Sequence, residues 1–169
     1  MTTYVFDVEV EEIDREDETW IDFFATQKFE AVFSWRDFQT YLDFVVEAPS
    51  PREAVELALD SIAQTDLQVV RIVLDLVGVQ DIAVDYGVSR ETARLWTHGH
   101  RRNGFPRRYT QVGNKSAWAR SDVFAWAEKN NLARQYAEKP LPLDVVEIAN
   151  GELAQARTAK EVRLADISA

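Results

Sequence analysis

The apolar positions of this chain change period several times. In Tyr4-Val5-Phe6-Asp7-Val8-Glu9-Val10 they alternate, with Tyr4, Phe6, Val8 and Val10 on one face and Glu9 on the other, which predicts a strand. Asp17-Glu18-Thr19 then supplies acidic start signals for a helix through Trp20, Phe23, Phe24 and Gln27. Phe29 to Trp35 and Gln39 to Val46 read as two strands around a turn at Arg36-Asp37. At Ser50-Pro51-Arg52-Glu53 a helix begins: Ser50 can cap, Pro51 suits the first helical position and Glu53 completes a capping box. Ala54, Val55, Ala58, Leu59 and Ile62 follow at helical spacing, and Leu67 to Leu74 is a last β-branched run.

The order βαββαβ over residues 2–74 predicts an α+β fold whose first domain is a ferredoxin-like split βαβ sandwich. Such a sandwich leaves one sheet face free of helices. Tyr4, Phe6, Phe33, Tyr41 and Phe44 are the aromatics that could fall there; some of them must cover the two helices, and a homodimer or a second protein would cover any left on the other face. The expected hinge to the next unit is Val77-Gly78.

Val79 to His98 carries the most information. Ile82, Ala83 and Tyr86 share a face of a short helix, and Gly87 permits the positive φ that a tight helix–helix turn demands. Val88 is apolar at the turn. Ser89 caps a second helix, its hydroxyl placed to accept from the amide of Thr92, and Ala93 and Trp96 lock that helix onto the first. Ser89, Arg90, Glu91, Arg94 and Thr97 are left outside, with Arg90 and Arg94 four residues apart on one face. Beyond it, Arg101, Arg102, Arg107 and Arg108 bracket Asn103-Gly104-Phe105-Pro106. Tyr109 to Val112 and Ser116 to Arg120 then form a hairpin about Gly113-Asn114, with Lys115 near its tip. Ser121-Asp122 starts a further helix that turns Val123, Trp126 and Ala127 inward, and a C-terminal helix is expected from Leu143 to Lys160.

Charge divides the chain in the same way. The net charge is −10, but residues 1–70 hold 17 acids against 4 bases, whereas residues 71–135 hold 6 acids against 11 bases. A sign reversal of this size implies two units with different partners. The domains expected are an acidic α+β domain at 1–74, a basic domain at 75–135 and a helical extension at 136–169.

Residues 76–130 resemble the winged helix-turn-helix of the MerR and excisionase superfamily, in the glycine turn at Gly87, the Gly104-Phe105-Pro106 stretch and the W-x-R-S-D-V-x-A-W run from Trp118 to Trp126. The likeness covers about a third of the chain. It implies that the second helix enters a DNA major groove and the hairpin grips adjacent backbone or minor groove. Arg90 and Arg94 would read bases, and Arg101, Arg102, Arg107, Arg108 and Lys115 would hold phosphates. With 39 residues after Asn130 and no cysteine, the metal or drug sensing of MerR activators is not expected to carry over. The implied function is a sequence-specific double-stranded DNA-binding regulator of bacterial or phage type. The alternatives are an excisionase-like architectural accessory of recombination and a protein adaptor working through the acidic domain.

Other chemistry finds little support. Gly-rich phosphate loops, GxSxG and HExxH are missing from the sequence, so neither an enzyme nor a cofactor is expected. His98 and His100 make at most two metal ligands and fit a helix C-terminus better. The acidic run Glu9, Glu11, Glu12, Asp14, Glu16, Asp17, Glu18 reads as a solvated face rather than a cation site or a DNA mimic, and Trp96, Trp118 and Trp126 as core. No apolar run approaches the roughly 18 residues of a membrane span. The N-terminus lacks a secretory pattern, so a cytoplasmic location is expected.

Overall fold

The computed structural model describes residues 1–14 and 19–168, with side chains through residue 164. The expected acidic signals Glu16, Asp17 and Glu18 lie outside the described residues. The protein is mixed α+β and divides into two compact units, one of Met1–Val73 with the chain from Asp144 onward, the other of Leu74–Leu143.

The first unit opens with β1 (Thr2–Val10), α1 (Thr19–Ala25), β2 (Glu30–Arg36), β3 (Gln39–Ala48), α2 (Pro51–Ala63) and β4 (Val69–Ile72). Its strands pair antiparallel in the order β2-β3-β1-β4. The alternation along β1 sets the register: Tyr4 lies opposite Val46, Phe6 opposite Phe44 and Val8 opposite Leu42, and all six are buried. Phe24 of α1 meets Phe33 and Phe44 edge-on at 5.8 and 6.3 Å, while α2 buries Ala54, Val55, Ala58 and Ile62. Ser50 caps α2 as expected, its hydroxyl accepting from the Glu53 amide at 3.2 Å.

Three expectations are corrected here. Tyr4, Phe6, Phe33 and Phe44 belong to the helix-packed face, so the opposite face is not an aromatic surface; of the five candidates only Tyr41 lies there, with the Arg36 guanidinium 4.9 Å over its ring. Glu9 is buried although it points away from the core, because Arg71 Nε and Gln39 Nε2 each donate to its carboxylate at 2.7 Å. The hairpin turn falls at Asp37-Phe38, both at positive φ (48° and 69°), one residue later than the sequence suggests. No glycine marks it.

In the second unit β5 (Leu76–Val77) leads into α3 (Val79–Asp85) and α4 (Arg90–Thr97). These are followed by β6 (Thr110–Val112), β7 (Lys115–Ala119), α5 (Arg120–Lys129) and β8 (Lys139–Pro140). β5, β7 and β6 form an antiparallel sheet in that order. Val77, expected at a hinge, is therefore a strand residue paired with Trp118, and Gly78 starts α3, its N–H donating to Asp81 at 2.8 Å. α5 begins at Arg120 rather than at Ser121. One core joins Val77, Ile82, Ala83, Tyr86, Ala93, Trp96, Trp118, Val123, Trp126 and Ala127, which accounts for the apolar spacing along the whole segment.

The last helix, α6, runs from Leu143 to Ser168, beyond the expected end at Lys160. From Asp144 it belongs to the first unit, where it seals an edge of the sheet. The Asn150 amide accepts from the Ile72 N–H and donates to the Ile72 carbonyl, both at 2.8 Å, and Arg157 donates to the Val70 carbonyl at 2.6 Å. Side chains thus take the place of a neighbouring strand along β4. No helix among the described residues is long and apolar enough to cross a membrane.

Candidate nucleic-acid interface

The second unit is built around a tight crossing of two short helices. Gly87 adopts φ +61°, which lets the chain reverse between α3 and α4; the Val88 amide closes the turn on the Ala83 carbonyl at 2.9 Å. Ser89 then caps α4, its Oγ accepting from the Thr92 amide at 3.1 Å. Ala83 and Ala93 are both buried, so the helices can approach closely where two small side chains meet the core. Trp96 packs 6.1 Å from Tyr86 and 5.5 Å from Trp126.

With that face buried, α4 turns Arg90, Glu91 and Arg94 to solvent. Glu91 and Arg94 form a two-point ion pair, Nε to Oε2 at 2.9 Å and Nη2 to Oε1 at 2.8 Å. The hydrogen bond from Arg94 holds the Glu91 carboxyl below the usual carboxylate range, and Glu91 in return raises Arg94. Glu91 therefore fixes where the Arg94 guanidinium lies. Arg90 has no ion-pair partner among the described residues. The Ser89 hydroxyl is occupied by its capping bond, and that of Thr97 donates to the Arg94 carbonyl at 2.9 Å, so both serve α4 itself. His98 ends the helix, with Nδ1 2.8 Å from the Arg94 carbonyl, and no group of three His, Asp or Glu side chains fit for a metal occurs among the described residues.

The remaining cations sit on the following loop and hairpin. The Gly113 turn at φ +58° joins β6 to β7 and places Lys115 opposite Val112. Arg108 donates to Gln111 Oε1 at 2.6 Å, and Gln111 Nε2 donates to the Gly113 carbonyl at 2.8 Å. Arg102 donates to the Asn130 carbonyl at 3.1 Å, which leaves Arg101, Arg107 and Lys115 exposed and unpaired among the described residues. The loop is pinned from inside: Phe105 lies 4.8 Å from Trp126 and 5.8 Å from Trp118, and the Trp126 indole donates to the Asn103 carbonyl at 3.1 Å. α4, loop and hairpin are thus carried on one aromatic core.

No protein-family model, curated protein or solved structure matches this chain.

The arginines differ in their partners: Arg157 of the first unit donates to a main-chain carbonyl and to no carboxylate among the described residues. Arg36, Arg52 and Arg71 of the first unit are all matched to carboxylates. In the second unit Arg120 is matched too: it bonds Asp75 through Nε at 2.9 Å and reaches the buried Asp85 through Nη1. Burial works to lower the Arg120 pKa, but Asp75 and Asp85 outweigh it and raise it. Arg120 joins the start of α5 to the end of α3 and is structural, whereas Arg90, Arg101, Arg107 and Lys115 have no carboxylate partner among the described residues. Gln111 and the exposed Val112 also lie on the hairpin surface. Nothing in their spacing distinguishes them from other strand residues, so the sequence does not single them out.

Proposed function

We propose that the protein is a sequence-specific double-stranded DNA-binding protein, acting as a transcriptional regulator of bacterial or phage type, and that residues 75–135 are its winged helix-turn-helix. The observation that carries this is the pairing pattern: six arginines and one acid lie between Val88 and Arg108 of an acidic protein, and Arg90, Arg101 and Arg107 among them lack intramolecular partners among the described residues. Cations left without carboxylates on a rigid helix and hairpin suit a polyanion. α4 supplies the recognition helix, with Arg90 and Arg94 toward base edges and Glu91 aiming Arg94. Arg101, Arg102, Arg107, Arg108 and Lys115 contribute phosphate contacts. The antiparallel β2-β3-β1-β4 order supports a ferredoxin-like sandwich for the first unit.

The test is selection of genomic fragments by the full chain followed by footprinting. Protection of one operator at a promoter supports a regulator. Clustered direct repeats beside an attachment site would instead make it an architectural accessory of recombination, and no footprint on any duplex refutes the proposal.

A further inference from the structure

The two exposed arginines of α4 are held differently. Arg90 makes no ion pair among the described residues. Arg94 is clamped by Glu91, three residues earlier, through Nε to Oε2 at 2.9 Å and Nη2 to Oε1 at 2.8 Å. Those bonds occupy one long edge of the guanidinium. Its outer end, Nη1 with the second hydrogen of Nη2, has no acceptor among the described residues, and the side chain is 49% exposed. Glu91 is itself well placed, because the helix dipole favours a carboxylate in the first turn of α4. The clamp thus fixes a two-pronged donor at the surface of α4 and keeps a negative charge beside it.

We propose that the free end of Arg94 reads one guanine in the major groove, and that Glu91 is the positioning residue that commits it to a base rather than to a phosphate. The inference rests on the DNA-binding reading of α4 and adds which base is read and why. Arginine offers donors only. Two parallel N–H groups need two neighbouring acceptors, and among the base edges of the major groove guanine alone supplies them, in O6 and N7. Adenine sets a donor beside its N7, cytosine presents a donor, and thymine presents one acceptor and a methyl group. A phosphate also accepts two bonds, but it is an anion. Docked on Arg94 it would lie close to the Glu91 carboxylate, and the two like charges would repel. Guanine is neutral and meets no such repulsion. Holding the fork in place also reduces the entropy lost when it is ordered on DNA.

The experiment is quantitative binding of the full chain to its selected operator, to every single-base variant of it and to an unrelated duplex, over a range of salt. Both side chains are exposed on α4, so neither substitution disturbs the core. Arg94→Ala should abolish the preference for guanine at one position, a loss of about 5- to 150-fold. Glu91→Ala should lower the same preference several-fold while unrelated duplex binds at least as tightly and with a steeper salt dependence, since the released guanidinium can take a phosphate. In the Arg94→Ala background, Glu91→Ala should change that preference no further. If the position relaxed by Arg94→Ala is an A·T pair, or if that variant weakens all duplexes alike with a shallower salt dependence, the proposal is overturned and the DNA-binding reading stands. An effect of Glu91→Ala on base preference that persists undiminished without Arg94 overturns the positioning role. A full chain that binds no duplex refutes the DNA-binding reading, and this inference with it.

Discussion

Asp85→Ala isolates the ion pair that ties α3 to α5 in the second unit. The Asp85 side chain is 7% exposed and that of Arg120 23% exposed, and the two are in direct contact. Removing one partner of a buried pair costs about 3–5 kcal/mol, most of it the penalty of the charge left behind. Here Arg120 keeps two bonds to Asp75, at 2.9 and 3.0 Å, and stays partly open to water. The expected loss is therefore lower, about 2–3 kcal/mol. Arg120→Met strands Asp85 instead and should cost at least as much, because Asp85 retains no other side-chain partner among the described residues. The double variant leaves only Asp75 unpaired, and its side chain is 45% exposed. The two losses should then fall short of additivity by more than about 1 kcal/mol. The assay is urea unfolding followed by tryptophan fluorescence in a Trp20→Phe, Trp35→Phe background, where Trp96, Trp118 and Trp126 report on the second unit alone. An Asp85→Ala loss below about 0.5 kcal/mol, or additive single variants, would refute the account of this pair.

Tyr86 gives a pH signature in the same unit. Burial raises its pKa from 10.0 to about 12. Between those values the folded protein binds the proton more tightly than the unfolded chain, so the stability of this unit is intact below pH 10 and falls as pH rises toward 12. Tyr86→Phe should remove that part of the slope in denaturation curves taken across this range. Asn150→Ala should speed hydrogen exchange of the Ile72 amide while leaving that of Leu42 unchanged, since it opens only the β4 edge; equal exchange at Ile72 would mean that α6 does not seal it. Neutralising Arg107, Arg108 and Lys115 together should weaken binding to every duplex alike and lower the slope of log affinity against log salt by about 0.9 for each phosphate no longer neutralised. An unchanged slope with altered base preference would make these residues base readers.

The features legible in the sequence are those whose cause is local. Ser89 and Thr92 lie three residues apart, Gly87 sits two residues before the cap, and the cap and turn follow from sterics and one hydrogen bond. Ala93, Trp96 and Trp126 are legible for a related reason, since helical spacing puts them on the inner faces of their helices whatever they pack against. Long-range pairing is not legible. Arg71 is 62 residues from Glu9 and Arg120 is 35 from Asp85, and no periodicity links such partners. Alternation sends Glu9 to solvent because it gives a side chain's direction and not what meets it there. The Asp37-Phe38 turn lacks the glycine that ordinarily marks positive φ, and β5 is too short to show a period. Composition names the candidate cations; which of them carry a carboxylate partner is visible only in three dimensions. That distinction sets Arg120 apart from Arg90.

The central claim is that α4 reads bases, and it is tested most directly by quantitative binding of Arg90→Ala and Arg94→Ala to the selected operator and to each single-base variant of it, at one fixed salt concentration. The account predicts that the unaltered chain prefers its operator to unrelated duplex by at least about 10³-fold. Each substitution should weaken operator binding about 5- to 150-fold and relax preference at one or two adjacent positions, with the rest of the site read as before. Unchanged affinity and unchanged preference in both variants would contradict it.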